Sequence, residues 1–330
     1  MANGKHMAIL MNGVDKWNQW REIPLYTACE WVERIIYGEA RRPDLRQADL
    51  SGADLRCAKL SRGDLRGANL VNANLADADL YEAKLDGADL RGAIFAGAKL
   101  SRARLRGTRL SGACLASACV RGVDLSGLDL SGLDLRGADF FGDNLSGADL
   151  SKANANGADF RESILSKSNL SEADLSAARF FKGSLVGADL RGANLSGAYL
   201  AETSMTGASF CNADLRNVDL RRADISGLDF TGARLSSDLL IGANFSGANL
   251  SGAILSHSIL AGARLCKANL SAADLTGADL SGADLSNANC RGANLSGADL
   301  TDAKLKGLDA KDADLSHCKP HGIEQRLRGK

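Results

Sequence analysis

Histidine, aromatic residues and long apolar runs are scarce in this chain of 330 residues. Four His leave little for acid–base catalysis, and no catalytic triad, phosphate-binding loop or dinucleotide fingerprint occurs. No run of about 18 or more apolar residues predicts a transmembrane helix. The 40 basic and 40 acidic residues cancel, so no global field favours nucleic acid, an anionic membrane or an acidic substrate.

What the chain has instead is an apolar residue at almost every fifth position from Leu45 to Leu315, without an insertion. These 55 central positions hold 42 Leu and seven Phe. A period of five fits neither an amphipathic helix nor an alternating strand. Short, fixed self-similarity predicts a solenoid whose small units stack on one another.

The other positions of the repeat follow equally sharp rules. Small residues, mostly Ala, stand two before each central residue and are predicted to point inward. The position two residues after the central residue holds 29 of the 36 Gly, which indicates a turn that needs a permissive backbone. The position immediately before the central residue holds 24 Asp and 11 Asn, whose side chains we expect to face outward.

The Asp residues also indicate the length of a coil. Like charges one coil apart would lie about 4.8 Å from each other and repel, so Asp should avoid Asp at that separation. Only four Asp–Asp pairs have the spacing i, i+20, against 8 to 11 pairs at each of the spacings 5, 10, 15 and 25. The dip predicts four repeats per coil, and 55 repeats then make about 14 coils in one unbroken β-helix.

Segments such as 48–52 (Ala-Asp-Leu-Ser-Gly) and 278–282 (the same five residues) resemble the A(D/N)LXX signature of the pentapeptide-repeat family. The resemblance covers about five-sixths of the chain. It implies an all-β solenoid, the right-handed quadrilateral β-helix, with the central and Ala positions inside. The segment 13–21 resembles the Trp-containing leader that precedes the repeats in many bacterial members.

The repeat divides the chain into an N-terminal helical cap at 1–42, a β-helix at 43–317 and a C-terminal tail at 318–330. One helix is predicted to hold Ile9, Leu10, Val14, Trp17 and Arg21, and a second to follow Pro24. A lid on the first coil is favoured over a partner-docking helix pair, because terminal repeats need capping. The thin tail leaves the last coil open to an end-to-end homodimer, as the resemblance also implies.

Candidate chemical sites are few. The eight Cys are scattered over the repeat and indicate a reducing, cytoplasmic location, since the start of the chain is too short for a signal peptide. His317, Cys318 and His321, which lie around the start of the tail, lack a fourth ligand, so no metal or cofactor is expected. Asp143 and Asp238 occupy inward positions, where we expect each carboxylate to cap backbone N–H groups in a local bulge.

One side of the coil stands out. The face centred on every twentieth residue from Leu60 to Leu300, here named the aromatic face, carries all four outward aromatics of the repeats. Aromatic and Arg enrichment is typical of protein-interface hot spots, whereas cross-coil ladders are the competing interpretation. The predicted binding residues are Tyr81, Phe141, Phe181, Tyr199, Arg179, Lys182, Arg221 and Arg222.

Three functions compete. A non-enzymatic scaffold or regulator that binds a protein partner, but neither membrane nor nucleic acid directly, fits a regular surface without catalytic groups. The resemblance offers gyrase binding and resistance to topoisomerase inhibitors through DNA mimicry as the alternative. This chain departs from such members in being neutral, in preferring Leu to Phe and in lacking an interrupting loop. A metal-dependent enzyme at the tail is the third and weakest hypothesis.

Overall fold

The computed structural model describes residues 3–22, 42–236 and 239–320. The chain forms two compact units, Met1–Ser163 and Ile164–Lys330. Two helices precede the repeats, α1 at Gly4–Met11 and α2 at Val14–Glu22. The prediction of one helix over this stretch is wrong, because Gly13 adopts a φ of 107° between the two helices. The second predicted helix and Asp238 lie outside the described residues.

Both units are built from coils that each contain four repeats. Single parallel bridges join residue i of the Asp/Asn position to residue i+20, from Asp44–Asp64 to Asp139–Asp159 in the first unit. In the second unit they run from Ile164–Ser184 to Asp299–Lys319. One bridge per repeat gives each coil four sides, which confirms the coil length predicted from charge avoidance. The total number of coils and continuity between the units stay predictions.

The interior of each unit contains the central and the Ala positions. The central Leu and Phe side chains are almost all buried, and the Ala side chains pack beside them. Their spacing of one coil predicts that Phe140, Phe160 and Phe180 stack in a column. Phe140 and Phe160 do so, with ring centroids 5.1 Å apart and planes 3° apart, whereas Phe180 belongs to the second unit and its place in the stack stays a prediction. In the second unit Phe210 and Phe230, which also lie one coil apart, stack at 5.1 Å. Residues on the same side of adjacent coils therefore form columns within each unit.

The turn between sides requires a left-handed backbone. All 29 Gly at the turn position of the repeat have a positive φ, and so do 25 other residues at the same position, such as Gln47 and His257. Gly adopts this conformation without a Cβ penalty, which explains its recurrence at one phase.

Asn separates Asp residues along the outer ladders. Asn69 Nδ2 donates to Asp49 Oδ1 at 2.9 Å, one coil away, and Asn194 Nδ2 donates to Asp174 Oδ1 at 3.1 Å. The amide thus replaces a repulsive carboxylate pair with a hydrogen bond. This is the physical basis of the scarcity of Asp–Asp pairs at the coil length.

α2 occupies the edge of the first coil. Trp17 Nε1 donates to the Lys59 carbonyl at 2.9 Å, and the Lys59 N–H donates to Asn18 Oδ1 at 2.8 Å. Arg21 Nη2 donates to the Ser61 carbonyl at 2.9 Å. Within the stack these backbone positions pair with the neighbouring coil, so three side chains of α2 replace the bonds that a preceding coil would make. The cap boundary at 42 stays a prediction.

Candidate protein-interaction surface

Phe141 lies inside a cation–π ladder on the aromatic face of the first unit. The guanidinium carbons of Arg121 and Arg161, one coil before and one after, lie 5.3 and 5.6 Å from the ring centroid. Arg121 also pairs with Asp139, with 2.6 Å between Nε and Oδ2. The half-buried ring therefore contributes to contacts between coils, which supports the ladder interpretation at this residue.

Tyr81, the other aromatic of this face in the first unit, is also half-buried. Its hydroxyl accepts a hydrogen bond from Arg102 Nη1 at 3.2 Å. Arg102 further approaches Glu82, which pairs with Arg62 at 3.0 Å. Tyr81 therefore belongs to a polar network and leaves part of its ring at the surface.

The aromatic face is more apolar and more open in the second unit. Phe181 is 36% exposed and Tyr199 is 62% exposed, and Lys182 Nζ lies 5.0 Å from the Phe181 ring centroid. Arg179 is exposed and forms a backbone bridge with Tyr199 of the next coil. Among described residues of this unit, eight large apolar side chains are exposed, and five lie on this one side of four: Phe181, Tyr199, Leu239, Ile241 and Ile259.

A groove of about 900 Å³ opens on this face, where two coils of the second unit separate. The backbone N–H groups of Leu200, Glu202 and Met205 lack the bonds that join most such residues to a carbonyl of the next coil. No bridge joins Tyr199 to Asp219, although both residues are described. Ladder bonds resume at Phe210, which donates to the Asp229 carbonyl at 2.7 Å.

Larger inward side chains accompany this separation. Val218 and Leu228 replace the usual Ala and are buried, in register with Ala198 and Ala208 of the preceding coil. Side-chain size alone does not open a coil, since Ser209 still bridges Asp229 beside Leu228, and Leu133 likewise replaces Ala beside an intact bridge in the first unit. Thr203 stays half-buried at the gap, where its hydroxyl donates to the Phe180 carbonyl at 2.9 Å.

Two predicted binding residues, Arg221 and Arg222, line the groove. Arg221 forms a bidentate pair with Asp219, with Nε–Oδ1 and Nη2–Oδ2 distances of 2.9 and 2.6 Å. This hydrogen-bonded pair lowers the pKa of Asp219 and keeps its carboxylate ionised. The groove thus combines a fixed ion pair with a second Arg and with exposed Ile241.

Asp143 is buried as predicted and caps backbone N–H groups. Its Oδ1 accepts from Gly122 at 2.5 Å and from Val123 at 3.0 Å, while Oδ2 has no hydrogen-bond partner within the described part of the chain. Burial raises the pKa of Asp143 to about 7, against the two N–H donors, which lower it. In the same region no bridge joins Arg104 to Asp124, although both residues are described.

Sequence reasoning missed the groove and the residues that pack against Phe141. The sequence did contain a sign of the cation–π ladder, because Arg121, Phe141 and Arg161 are spaced by one coil length. The described residues contain no group of three or more His, Cys, Asp or Glu placed to hold a metal ion. Neither described helix has the length and apolarity needed to cross a bilayer. His321 lies outside the described residues.

Comparison with known proteins identifies the class. The family model of pentapeptide repeats matches in segments that together run from residue 41 to residue 319. The chain therefore belongs to the pentapeptide-repeat family, and its fold is the right-handed quadrilateral β-helix of that family. No curated protein sequence matches it.

Several solved structures are similar. HetL from the cyanobacterium Nostoc sp. strain PCC 7120, a protein involved in the regulation of heterocyst differentiation, is 35% identical over 73% of this chain and 88% of HetL, with a TM-score of 0.27. A thylakoid-lumen member from Arabidopsis thaliana is 40% identical over 31% of this chain and 70% of its own, with a TM-score of 0.30. QnrB1, a plasmid-mediated fluoroquinolone resistance protein, is 22% identical over 62% of this chain and 94% of its own, with a TM-score of 0.28.

Proposed function

We propose that this protein is a non-enzymatic scaffold that binds a protein partner through the aromatic face of its second unit. The observation that carries the proposal is that five of the eight large apolar side chains exposed among the described residues of this unit lie on one side. Such a cluster on a rigid surface is the usual core of a binding patch. Arg179, Lys182, Arg221 and Arg222 surround it and supply the polar rim.

Phe181 and Tyr199 are the residues to change. Both side chains point outward, so replacing both with Ser should leave the circular dichroism spectrum and the melting temperature nearly unchanged. Capture of the main partner, identified by mass spectrometry from a pull-down with the native chain, should be lost.

A matched control removes two apolar side chains from other sides of the same unit. Val186 and Ile254 are 36% and 37% exposed, and the Val186→Ser, Ile254→Ser variant should capture the partner normally. Undiminished capture by the Phe181→Ser, Tyr199→Ser variant, or equal loss in both variants, would refute the assignment. Tyr81 and Phe141 are secondary candidates, because intramolecular contacts already occupy them.

The gyrase-binding alternative stays a prediction, tested by a supercoiling assay with and without a quinolone. The end-to-end homodimer also stays a prediction.

A further inference from the structure

The groove in the second unit is lined on its two walls by unpaired backbone groups. The N–H groups of Leu200 and Glu202 donate to no residue that the structure describes, and the carbonyls of Asp219 and Arg221 accept from none. Each wall presents its groups two residues apart, which is the spacing of groups that point to the same side of an extended segment. The groove therefore sets a row of donors opposite a row of acceptors.

Two charged side chains mark the same opening. Arg62 and Glu82 occupy the turn position of this side in consecutive coils of the first unit and pair at 3.0 Å. Glu202 and Arg222 have the same register in the second unit, yet neither forms an ion pair or side-chain hydrogen bond within the described part of the chain. Both charges stay open to contact at the rim of the groove.

The opening is local, because the coils around it are joined in the usual way. The Phe180 N–H donates to the Tyr199 carbonyl at 2.8 Å in the coil before the groove, and the Arg222 N–H donates to the Ile241 carbonyl at 3.1 Å in the coil after it. The ladder bonds that resume at Phe210 hold the two separated coils together on another side. The groove thus has two walls that belong to ordered coils.

We propose that an extended peptide segment of the partner binds in this groove and pairs its backbone with the two walls. The inference rests on the proposed function and adds the kind of element that is recognised. A peptide in the extended conformation carries both acceptors and donors at the spacing of the walls, whereas a simple anion carries acceptors alone. Ile241, which is 42% exposed, supplies an apolar contact for a peptide side chain.

Amide hydrogen exchange of the full chain, followed residue by residue, tests the walls first. The amides of Leu200 and Glu202 should exchange about tenfold or more faster than those of Leu240 and Gly242, because only the latter pair is bonded to the next coil. These residues occupy the same two positions of the same side, which makes them a matched comparison. Equal protection in the free chain would show that the coils close in solution and would overturn the proposal.

Linear peptides selected from a phage-displayed random library against the full chain are the binding probe. A bound peptide should slow exchange at Leu200 and Glu202. N-methylation of the peptide amides that donate into the groove should weaken binding about tenfold or more, whereas N-methylation of the intervening amides should have little effect. Failure to select a peptide, binding that protects neither amide, or equal sensitivity at every peptide amide would contradict the proposed strand.

Ala201→Phe and Ala261→Phe form a matched pair of variants. Both residues occupy the outward position that Phe181 holds on the same side, so both variants should fold, and melting temperatures verify this. Ala201 lines the groove and Ala261 does not. Peptide binding should be lost in Ala201→Phe and retained in Ala261→Phe, and equal binding by the two variants would count against the groove as the site.

This inference and the proposed function fail separately. Loss of partner capture by the Phe181→Ser, Tyr199→Ser variant, with no protection of Leu200 and Glu202 when the partner binds the native chain, would refute only the strand in the groove. Protection of both amides, together with normal capture by that double variant, would support the groove and refute only the role of Phe181 and Tyr199.

Discussion

Asp143 should make the stability of the first unit decrease as the pH rises. Its side chain is 1% exposed, and burial raises its pKa to about 7 from an ordinary value of 3.8. Because the folded-state pKa lies above the unfolded value, the folded state binds the proton more tightly. The contribution is fully present below the unfolded pKa and is lost as the pH rises through the folded pKa.

The size of this effect follows from the difference between the two pKa values. A difference of about 3 corresponds to about 4 kcal/mol between the two protonation states. Between about pH 4.5 and about pH 7.5, about 3 kcal/mol of it should be lost. Asp143→Asn cannot ionise, and its amide oxygen can accept from the same N–H groups of Gly122 and Val123. The variant should therefore lose this component of the pH dependence.

Urea unfolding at several pH values, followed by circular dichroism, measures the difference between the native chain and Asp143→Asn. Only the change of that difference with pH is diagnostic, because the buried amide has a constant cost of its own. Asp134→Asn is the control, since hydrogen bonding to Arg136 lowers the pKa of Asp134 and places its titration below this window. Equal pH dependence in the native chain and Asp143→Asn would refute the reasoning.

Three further substitutions test the packing and the turns. Phe160 is fully buried and stacks on Phe140, so Phe160→Ala should lower the free energy of unfolding by about 3–5 kcal/mol in urea titrations; a negligible change would contradict the assigned burial. Gly252 has a φ of 64° and open space where a Cβ would point, so Gly252→Ala should cost about 1 kcal/mol of backbone strain. Gly277→Ala should cost about as much, because the His257 imidazole that would lie 2.7 Å from the added Cβ is exposed and can rotate away, and a much lower melting temperature than that of Gly252→Ala would contradict this.

The regular part of the fold was predictable because local backbone conformation, burial and charge restrict the residue type at each position of the repeat. The Gly position needs a positive φ, the central position needs an apolar side chain, and Asp avoids Asp at the coil length. The Phe140–Phe160 stack followed from its spacing of one coil, and the same spacing could have revealed Phe210–Phe230. The break at Gly13 was not foreseen, because the apolar spacing of 9–21 fits one helix as well as two.

The candidate surface was predictable only in part. Spacing predicts one side for the four outward aromatics, but not their exposure: Tyr199 is open to contact by a partner, whereas Arg121 and Arg161 flank Phe141. The groove beside Arg221 depends on hydrogen bonds that two coils fail to make, which no single repeat reveals.

The sequence by itself determined the class of fold, the coil length and the identity of the inward positions, because a five-residue period repeats the same local conformation along the chain. Tertiary structure decided which irregularities matter. Val218 lies beside the separation of two coils, and Asp143 carries a buried carboxyl group whose pKa is raised. Arg21 and Lys99, which are far apart in the chain, line one cavity. Such features arise from contacts between coils, where packing and solvation act across distances that no local pattern encodes.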